Sequence, residues 1–371
     1  MRKIANICRV VTGLVFLFSA FVKGVDPLGT SYRFEDYFHV WHLNFLLPAA
    51  LFFAILLCVV EFSIGLALLF SVRMKITSWV LLGIMTFFTG VTLVDALTNG
   101  VAECGCFGDA LKLTNWQTFY KNLALMGLTG VIVFRRRRSV PCFLPKNEVR
   151  VTAILITVFA AFCVYSYAML PVIDFLPYKT GTRLISEVAP TPKIFLKYKN
   201  KKTGEVKEYL SPNFPWKDAV WMAQWDFVSQ RVENPTTDIP LYIQNVMGSD
   251  VTREVLGNEK GTLLIVSYNL DKTNVKALAK TIIFGNKVVA AKINTAMLTA
   301  SLGRTNNFVS TPVPMSFDFY NADDVQLKML VRANPGLVLI KNGVILRKWS
   351  AYKLPTIEML NKILQQQPVK H

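Results

Sequence analysis

Cysteine is missing from the second half of this 371-residue sequence. All six cysteines fall within the first 163 residues, and none follows Cys163. Disulfide exchange needs a thiolate as its nucleophile. Residues 164–371 therefore cannot perform thiol chemistry by themselves, and any such activity has to come from the first half of the chain.

Acidic residues are also scarce, with 24 Asp and Glu against 41 Lys and Arg. Hydrophobic residues, in contrast, make up 52% of the chain, which is too many for an ordinary soluble protein of this length. Five apolar segments account for the excess: 4–22, 45–72, 76–97, 119–134 and 151–170. Each is long enough, or nearly so, to cross a lipid bilayer as a helix. The first has a basic start but no small-residue cleavage site, so we expect a retained helix rather than a signal peptide.

Lys and Arg are distributed unevenly between the two ends of these segments. Eleven lie on one side and four on the other, in the loops 23–44 and 98–118 and their flanks. Because short cytoplasmic loops are enriched in Lys and Arg, the N-terminus is predicted to be cytoplasmic. After five spans the C-terminal domain would be periplasmic. The protein itself would lie in the inner (cytoplasmic) membrane of a bacterium. We interpret the four arginines 135–138 as a topology signal, and no nucleic-acid partner is expected.

The sequence pattern changes after residue 170. Alternating runs around a Lys-Thr-Gly turn predict a β-hairpin over 193–210, and residues 212–235 receive no assignment. Further along, the pattern predicts strands and helices in alternation: strand 261–268, helix 274–284, strand 287–293, helix 295–302, a hairpin on an Asn-Gly turn over 336–349, and helix 355–366. This alternation predicts a three-layer α/β sandwich.

Residues 236–366 resemble a thioredoxin-like domain, most specifically in ANPGLVLIKNGVILRKW, residues 333–349. In that family a cis-proline, matched here by Pro335, opens the final strand pair. The preceding residue, here Asn334, faces the partner-binding groove. Where the family carries Cys-x-x-Cys, this chain has SYNLDKTN. A domain of this kind cannot run the family's redox chemistry by itself, and two roles stay open for it: binding a peptide or thiol partner, or only supporting the membrane half.

The first half contains a second set of motifs. They are Gly13, Phe16, Ser19 and Lys23 in the first span, Asp26-Pro27 after it, Glu61 in the second span, and Cys-Gly-Cys-Phe-Gly at 104–108. Together they resemble the DoxX/MauE group over residues 1–138. The resemblance implies a four-helix membrane bundle and a tie to electron transfer or to the maturation of disulfide-bearing periplasmic proteins. The expected domains are 1–138 (bundle), 139–170 (cytoplasmic loop and fifth spanning helix), 171–235 (linker and hairpin) and 236–371 (thioredoxin-like).

Cys104 and Cys106 are separated by one glycine and are predicted to face an oxidising compartment, where a disulfide can persist. A bridge across one residue closes a small strained ring, and such a bond is labile and oxidising. Three interpretations stay open: a redox-active pair, which ring strain favours; a structural or inert pair; and a metal site that adds His39 and His42. The other cysteines are interpreted as packing residues: Cys8, Cys58, Cys142 and Cys163.

Two acids in the predicted spans are candidates for proton transfer. An acid inside a span is costly, so Glu61 should face the bundle interior beside a partner. Asp95 lies nearer the exoplasmic end of the third span. If the cysteine pair passes electrons to a quinone, two protons must move as well, and Glu61 or Asp95 is a candidate to carry them.

The leading hypothesis is a membrane thiol–disulfide oxidoreductase, or an accessory to one. Cys104 and Cys106 would cycle between dithiol and disulfide, with a quinone as possible acceptor. The groove at Asn334 and Pro335 would hold a periplasmic thiol protein or a thioredoxin-like partner. The alternative is a non-catalytic envelope scaffold whose thioredoxin-like domain binds a partner.

Overall fold

The computed structural model describes residues 2–101, 105–136, 145–185, 193–201, 203–210, 218–233, 241–270, 272–300 and 313–366. Its first part is a helical bundle, and its second part contains two β-sheets. The helices of the first part are α1 (Arg2–Val25), α2 (Pro27–Val40), a 3-10 turn (Asn44–Ala49), α3 (Ala50–Phe70), α4 (Met74–Thr98), α5 (Asn115–Arg135) and α6 (Pro145–Ala168).

Within the described residues, four helical segments are long and apolar enough to cross a membrane. They are Lys3–Val25, Asn44–Phe70, Met74–Thr98 and Arg150–Ala168. Each coincides with a span predicted from the sequence. The chain is therefore a multi-pass membrane protein, and a lipid bilayer is its environment.

Helix α5 is not one of those four, because its first turns are polar, but it packs antiparallel along α4. The Asn115 side chain, at the start of α5, donates to the Asp95 carbonyl near the end of α4 at 3.3 Å. At the opposite end, the Arg136 guanidinium lies 4.8 Å from the Trp79 ring centre. Helix α5 therefore extends over the same depth of the bundle as α4.

Helix α2 lies where the sequence analysis places a loop. Its start is set by Asp26, whose Oδ1 accepts a hydrogen bond from the Gly29 N–H at 2.9 Å, and by Pro27 at the first helical position. The helix lacks a clear apolar stripe, which is why hydrophobic periodicity did not reveal it. It follows α1 directly in the chain. It covers one end of the bundle, the end at which the segment after α4 also lies.

The smaller sheet is antiparallel, in the order β2-β1-β3. Its strands are β1 (Lys193–Asn200), β2 (Val206–Leu210) and β3 (Trp225–Glu233), and helix α7 (Ala219–Gln224) precedes β3. Strands β1 and β2 pair as the hairpin that the sequence predicts.

The larger sheet has six strands in the described part of the chain, in the order β4-β7-β6-β5-β8-β9. Strands β5, β6 and β7 run parallel, and the other pairings are antiparallel. The elements are β4 (Ile243–Gln244), α8 (Thr252–Leu256), β5 (Thr262–Val266), α9 (Val275–Ala290), β6 (Asn294–Thr299), β7 (Asp318–Ala322), α10 (Asp324–Leu330), β8 (Gly336–Lys341), β9 (Val344–Ser350) and α11 (Ile357–Gln365). The peptide bond between Asn334 and Pro335 is cis.

The central strand β5 is buried on both faces, and helices cover both. On one face, Leu264 packs in a cluster with Leu256 of α8 and Leu327 of α10. On the other, Leu263 packs with Leu360 of α11. The result is the layered α/β arrangement that alternating strand and helix patterns predict. Tyr178 and Leu184, from the segment after α6, join the first of these clusters.

Two predicted elements are wrong. Residues 287–290 continue helix α9 instead of forming a strand, and Asn294–Thr299 is strand β6 instead of a helix. Buried positions in α9 recur at helical spacing through Leu278, Ile282, Gly285 and Val288. This periodicity, and not the β-branched Val288-Val289 pair, decides the local structure.

Candidate functional site

A buried ion pair lies inside the bundle between α1 and α3. Lys23 Nζ is 2.6 Å from Glu61 Oε1, and the two residues are 5% and 3% exposed. Lys23 Nζ also donates to Ser19 Oγ at 3.1 Å. Glu61 thus faces the interior beside a cationic partner, which offsets part of the cost of an acid there.

Sequence reasoning did not assign Lys23 as that partner. A signal was available, since Ser19 and Lys23 are four residues apart and so share one face of α1. Glu61 needed a cation within the apolar region, and Lys23 ends the first apolar segment.

The loop that carries Cys106 packs onto this network. Ser19 Oγ donates to the Cys106 carbonyl at 2.7 Å, so one hydroxyl bridges the loop backbone and the Lys23 ammonium. Gly105 has φ +69°, and a Cβ atom there would lie 2.9 Å from Arg33 Cγ of α2. Gly105 is therefore needed both for its backbone conformation and for the close approach of α2.

A cavity of about 310 Å³ opens between helices α1 to α5 and the Cys106 loop. Most of its wall is apolar, with a group of aromatic side chains from α2, the residue that follows it, α3 and α4: Phe34, Phe38, Trp41, Phe53 and Phe88. The polar part of the wall includes Ser19, Lys23, Arg33, Glu61, Cys106 and Lys121, together with Thr30, Tyr37, Thr92 and Asn122. The cavity thus brings together two residues that the sequence singled out separately, Cys106 and Glu61.

Asp95 lies just outside this wall. It is 3% exposed, and the Tyr37 hydroxyl, which belongs to the cavity lining, donates to its Oδ2 at 2.5 Å. Asp95 is therefore separated from the cavity by Tyr37, whereas Glu61 lines it directly.

Arg332 of the α/β domain joins that domain to the cysteine end of the bundle. Its Nε is 2.7 Å from Asp26 Oδ2, and its Nη2 is 2.7 Å from Asp109 Oδ2, three residues after Cys106. Arg332 is 7% exposed. Burial by itself would lower the pKa of Arg332, but the Asp26 and Asp109 carboxylates raise it above the ordinary value, so the guanidinium stays charged.

Further contacts surround this clamp. The hydroxyls of Tyr32 in α2 and Tyr268 after β5 are 2.8 Å apart, and Lys272 Nζ is 3.1 Å from Glu35 Oε1. Burial raises the pKa of Tyr268 to about 12, so the Tyr268 hydroxyl keeps its proton at neutral pH. Tyr268 belongs to SYNLDKTN, the segment that the resemblance drawn from the sequence aligns with the Cys-x-x-Cys of thioredoxins.

Asn334 and Pro335, predicted to bind a partner, lie beside the surface of the α/β domain that contacts the bundle. Asn334 Oδ1 accepts from Ser267 Oγ at 3.1 Å, and its Nδ2 donates to the Asn269 carbonyl at 2.7 Å. Pro335 is buried. Both Asn334 polar atoms are thus engaged within the α/β domain, two residues from Arg332.

The metal interpretation gains no support from the described residues. Among them, no group of three or more His, Cys, Asp and Glu side chains is placed to hold a metal ion. His39 and His42 are both exposed. Cys104 lies outside the described residues, as do Arg137, Arg138 and Cys142.

Cys8, Cys58 and Cys163 are buried thiols without disulfide bonds. Cys8 packs in the bundle cluster around Phe16 and Leu68, and Cys58 and Cys163 share a cluster with Phe159. These contacts are those of packing residues, the role that the sequence analysis gave them.

Residues 1–135 match the family model of the methylamine utilisation protein MauE. The match covers the described helices α1 to α5 and ends where α5 ends. Together with the apolar helices, it defines a multi-pass membrane protein with a MauE-like N-terminal region. The family suggests a membrane protein of the methylamine-utilisation or redox-maturation type. No curated protein and no solved structure matches the chain.

Proposed function

We propose that this protein is a membrane thiol–disulfide oxidoreductase of the bacterial envelope. Cys104 and Cys106 exchange disulfides with a periplasmic thiol protein or a thioredoxin-like partner, and a quinone reoxidises them. The observation that carries the proposal is the position of Cys106. It lines an aromatic cavity within the bundle, and Ser19 links its backbone to the buried Lys23–Glu61 pair.

The reaction balances in two steps. In the first, a client thiolate attacks the Cys104–Cys106 disulfide, forming a mixed disulfide, and the second client thiolate then displaces the protein sulfur. The client gains a disulfide, and the protein pair becomes a dithiol. In the second step, the pair passes two electrons and two protons to a quinone, which becomes a quinol, and the Cys104–Cys106 bond forms again.

The acids have separate roles in the second step. Glu61 lines the cavity and exchanges protons there, with Lys23 holding its carboxylate in place. Asp95 lies behind Tyr37, and we assign it a supporting role in proton supply through that hydroxyl.

The proposed topology has five crossings. Helix α5 covers the same depth as α4, which supports counting it with the four apolar helices. Basic residues at the end of the bundle away from the Cys106 loop would then be cytoplasmic. Arg9 is one of them, and it contacts the Leu68 and Leu69 carbonyls. The Cys106 loop and the α/β domain, which meet at the other end, would be periplasmic.

The α/β domain is proposed to be thioredoxin-like on the basis of its strand order and its parallel β5-β6-β7 set. Its cysteine-free face, with Tyr268 and Arg332, contacts the bundle rather than solvent. The domain would then position the Cys106 loop and guide a client toward it. In the scaffold alternative, the same domain binds a partner and the cysteines are dispensable.

The test uses the full chain in lipid nanodiscs and a reduced peptide with two cysteines. The wild-type protein, once oxidised, should convert about one peptide dithiol to disulfide per protein, because each pair takes up two electrons. Cys104→Ala and Cys106→Ala should each abolish this reaction. Cys8→Ala, which removes a buried packing thiol, serves as the matched control and should react like wild type.

Peptide oxidation by both Cys104→Ala and Cys106→Ala at the wild-type level would disprove the catalytic role. A wild-type protein whose pair never reacts would favour the scaffold.

A further inference from the structure

We infer that the aromatic cavity is the quinone-binding site, with the quinone ring against the Lys23–Glu61 pair. This inference rests on the proposed function for its redox role, but the binding itself can be tested without the cysteines. Four features of the cavity carry it: an unsatisfied buried oxygen, a paired donor and acceptor, the composition of the wall, and an opening toward lipid.

The first feature is Glu61 Oε2. This atom is buried and has no hydrogen-bond partner among the described residues, although Oε1 of the same carboxylate is bound by Lys23. A buried carboxylate oxygen without a donor is costly. Because Glu61 lines the cavity, a ligand hydroxyl there would satisfy it.

The second feature is that a hydrogen-bond donor and a hydrogen-bond acceptor lie side by side in the cavity wall. An ammonium carries three N–H donors, and two of those on Lys23 are accounted for by Ser19 and Glu61. The remaining donor suits a carbonyl oxygen, whereas Glu61 Oε2 suits a hydroxyl. A quinone presents the first group and a quinol the second, so adjacent atoms of one ion pair can hold both redox states.

The third feature is the composition of the wall. The volume of about 310 Å³ lies at the lower end of the range for ligand sites and suits a single ring system. Phenylalanine and tryptophan rings provide faces and edges for stacking on a flat ligand. Arg33 and Lys121 also line the cavity, and the resulting positive potential favours a ligand with oxygen lone pairs.

The fourth feature is a route for an apolar tail. Phe87 lines the cavity and yet is 60% exposed on the outer surface of α4, so the wall at that point reaches the surface that faces lipid. Trp41, also in the lining, is 39% exposed at the end of α2. An isoprenoid chain can therefore leave the cavity near Phe87 while the ring stays beside Lys23 and Glu61.

The test measures binding of a short-chain benzoquinone to the full chain in nanodiscs made from quinone-free lipid. The Cys104→Ser/Cys106→Ser double variant is used throughout, so that no thiol chemistry contributes. Val91→Trp, which adds a large side chain to the cavity wall, should weaken binding about tenfold or more. Val158→Trp, on the 62%-exposed surface of α6, is the matched control and should bind within about twofold of the parent.

A photoreactive azidobenzoquinone provides a second readout, and its label should fall on the residues that line the cavity, in α1 to α5 or in the Cys106 loop. Absence of binding, binding that Val91→Trp leaves unchanged, or labelling confined to α6 would overturn the inference. Quinone binding by a protein whose cysteines never oxidise a peptide would refute the proposed thiol chemistry but leave this site standing. Peptide oxidation without quinone binding would do the reverse.

Discussion

At the residue scale, the site depends on a few groups whose positions explain one another. Ser19 contacts both the Cys106 carbonyl and the Lys23 ammonium, and Lys23 in turn holds Glu61. A displacement of Lys23 would thus be felt at both the cavity carboxylate and the cysteine loop. This connection is why a buried lysine that performs no chemistry of its own matters for the site.

The ion pair itself can be tested by stability. Lys23→Met leaves the buried Glu61 without its cation, and breaking a buried pair in this way costs about 3–5 kcal/mol. The Lys23→Met/Glu61→Met double variant removes both charges and should recover most of that loss. Unfolding midpoints of the purified protein in detergent measure the difference.

Lys75→Met, at an exposed position near the start of α4, is the matched control and should leave the midpoint unchanged. A single Lys23→Met variant as stable as wild type would mean that the pair does not form.

At the scale of elements, the sequence predicts most of the membrane half and part of the α/β half. Long apolar runs revealed the spans, and the Asn-Gly turn revealed the final hairpin, where Asn342 and Gly343 both have positive φ. Helix α2 was missed because it has no apolar stripe. Only Asp26 and Pro27 mark where it starts. The exchange of helix and strand around residues 287–299 shows that a short Val pair is a weaker signal than buried positions at helical spacing.

The site was predictable only in pieces for a related reason. Cys106 and Glu61 stood out as residue types in unusual places. Their convergence on one cavity depends on how α1, α2 and α3 pack, which local sequence does not encode. The Arg332 clamp was beyond sequence reasoning, because Asp26 and Arg332 are separated by 306 positions.

The clamp gives a prediction about elements. Arg332→Lys keeps the charge but cannot serve Asp26 and Asp109 together with a planar fork. Hydrogen exchange in α2 and in residues 105–112 should therefore become faster, because at least one of the two carboxylates loses its hydrogen bond to this side chain. Mass spectrometry on the full chain in nanodiscs measures this exchange by peptide.

Arg253→Lys, on the exposed surface of α8, controls for the substitution itself. Exchange in both segments at the wild-type rate for a folded Arg332→Lys protein would show that Arg332 does not hold the two halves together.

At the scale of the whole molecule, the two halves divide the work that the proposed function requires. The α/β domain has no thiol, and the MauE-like region has a thiol next to a cavity. The domain meets the bundle at the end where the Cys106 loop lies, so a client guided by the domain would arrive beside the cysteines. The bundle would then carry electrons from that end to a carrier within the lipid.

The most direct measurement is thiol trapping of Cys104 and Cys106 in native membranes, with respiratory electron flow first running and then blocked. We expect the pair to be a disulfide while electrons flow and to accumulate as the dithiol once quinol reoxidation stops. A pair that stays in one state under both conditions, bridged or reduced, would contradict a redox circuit through this protein.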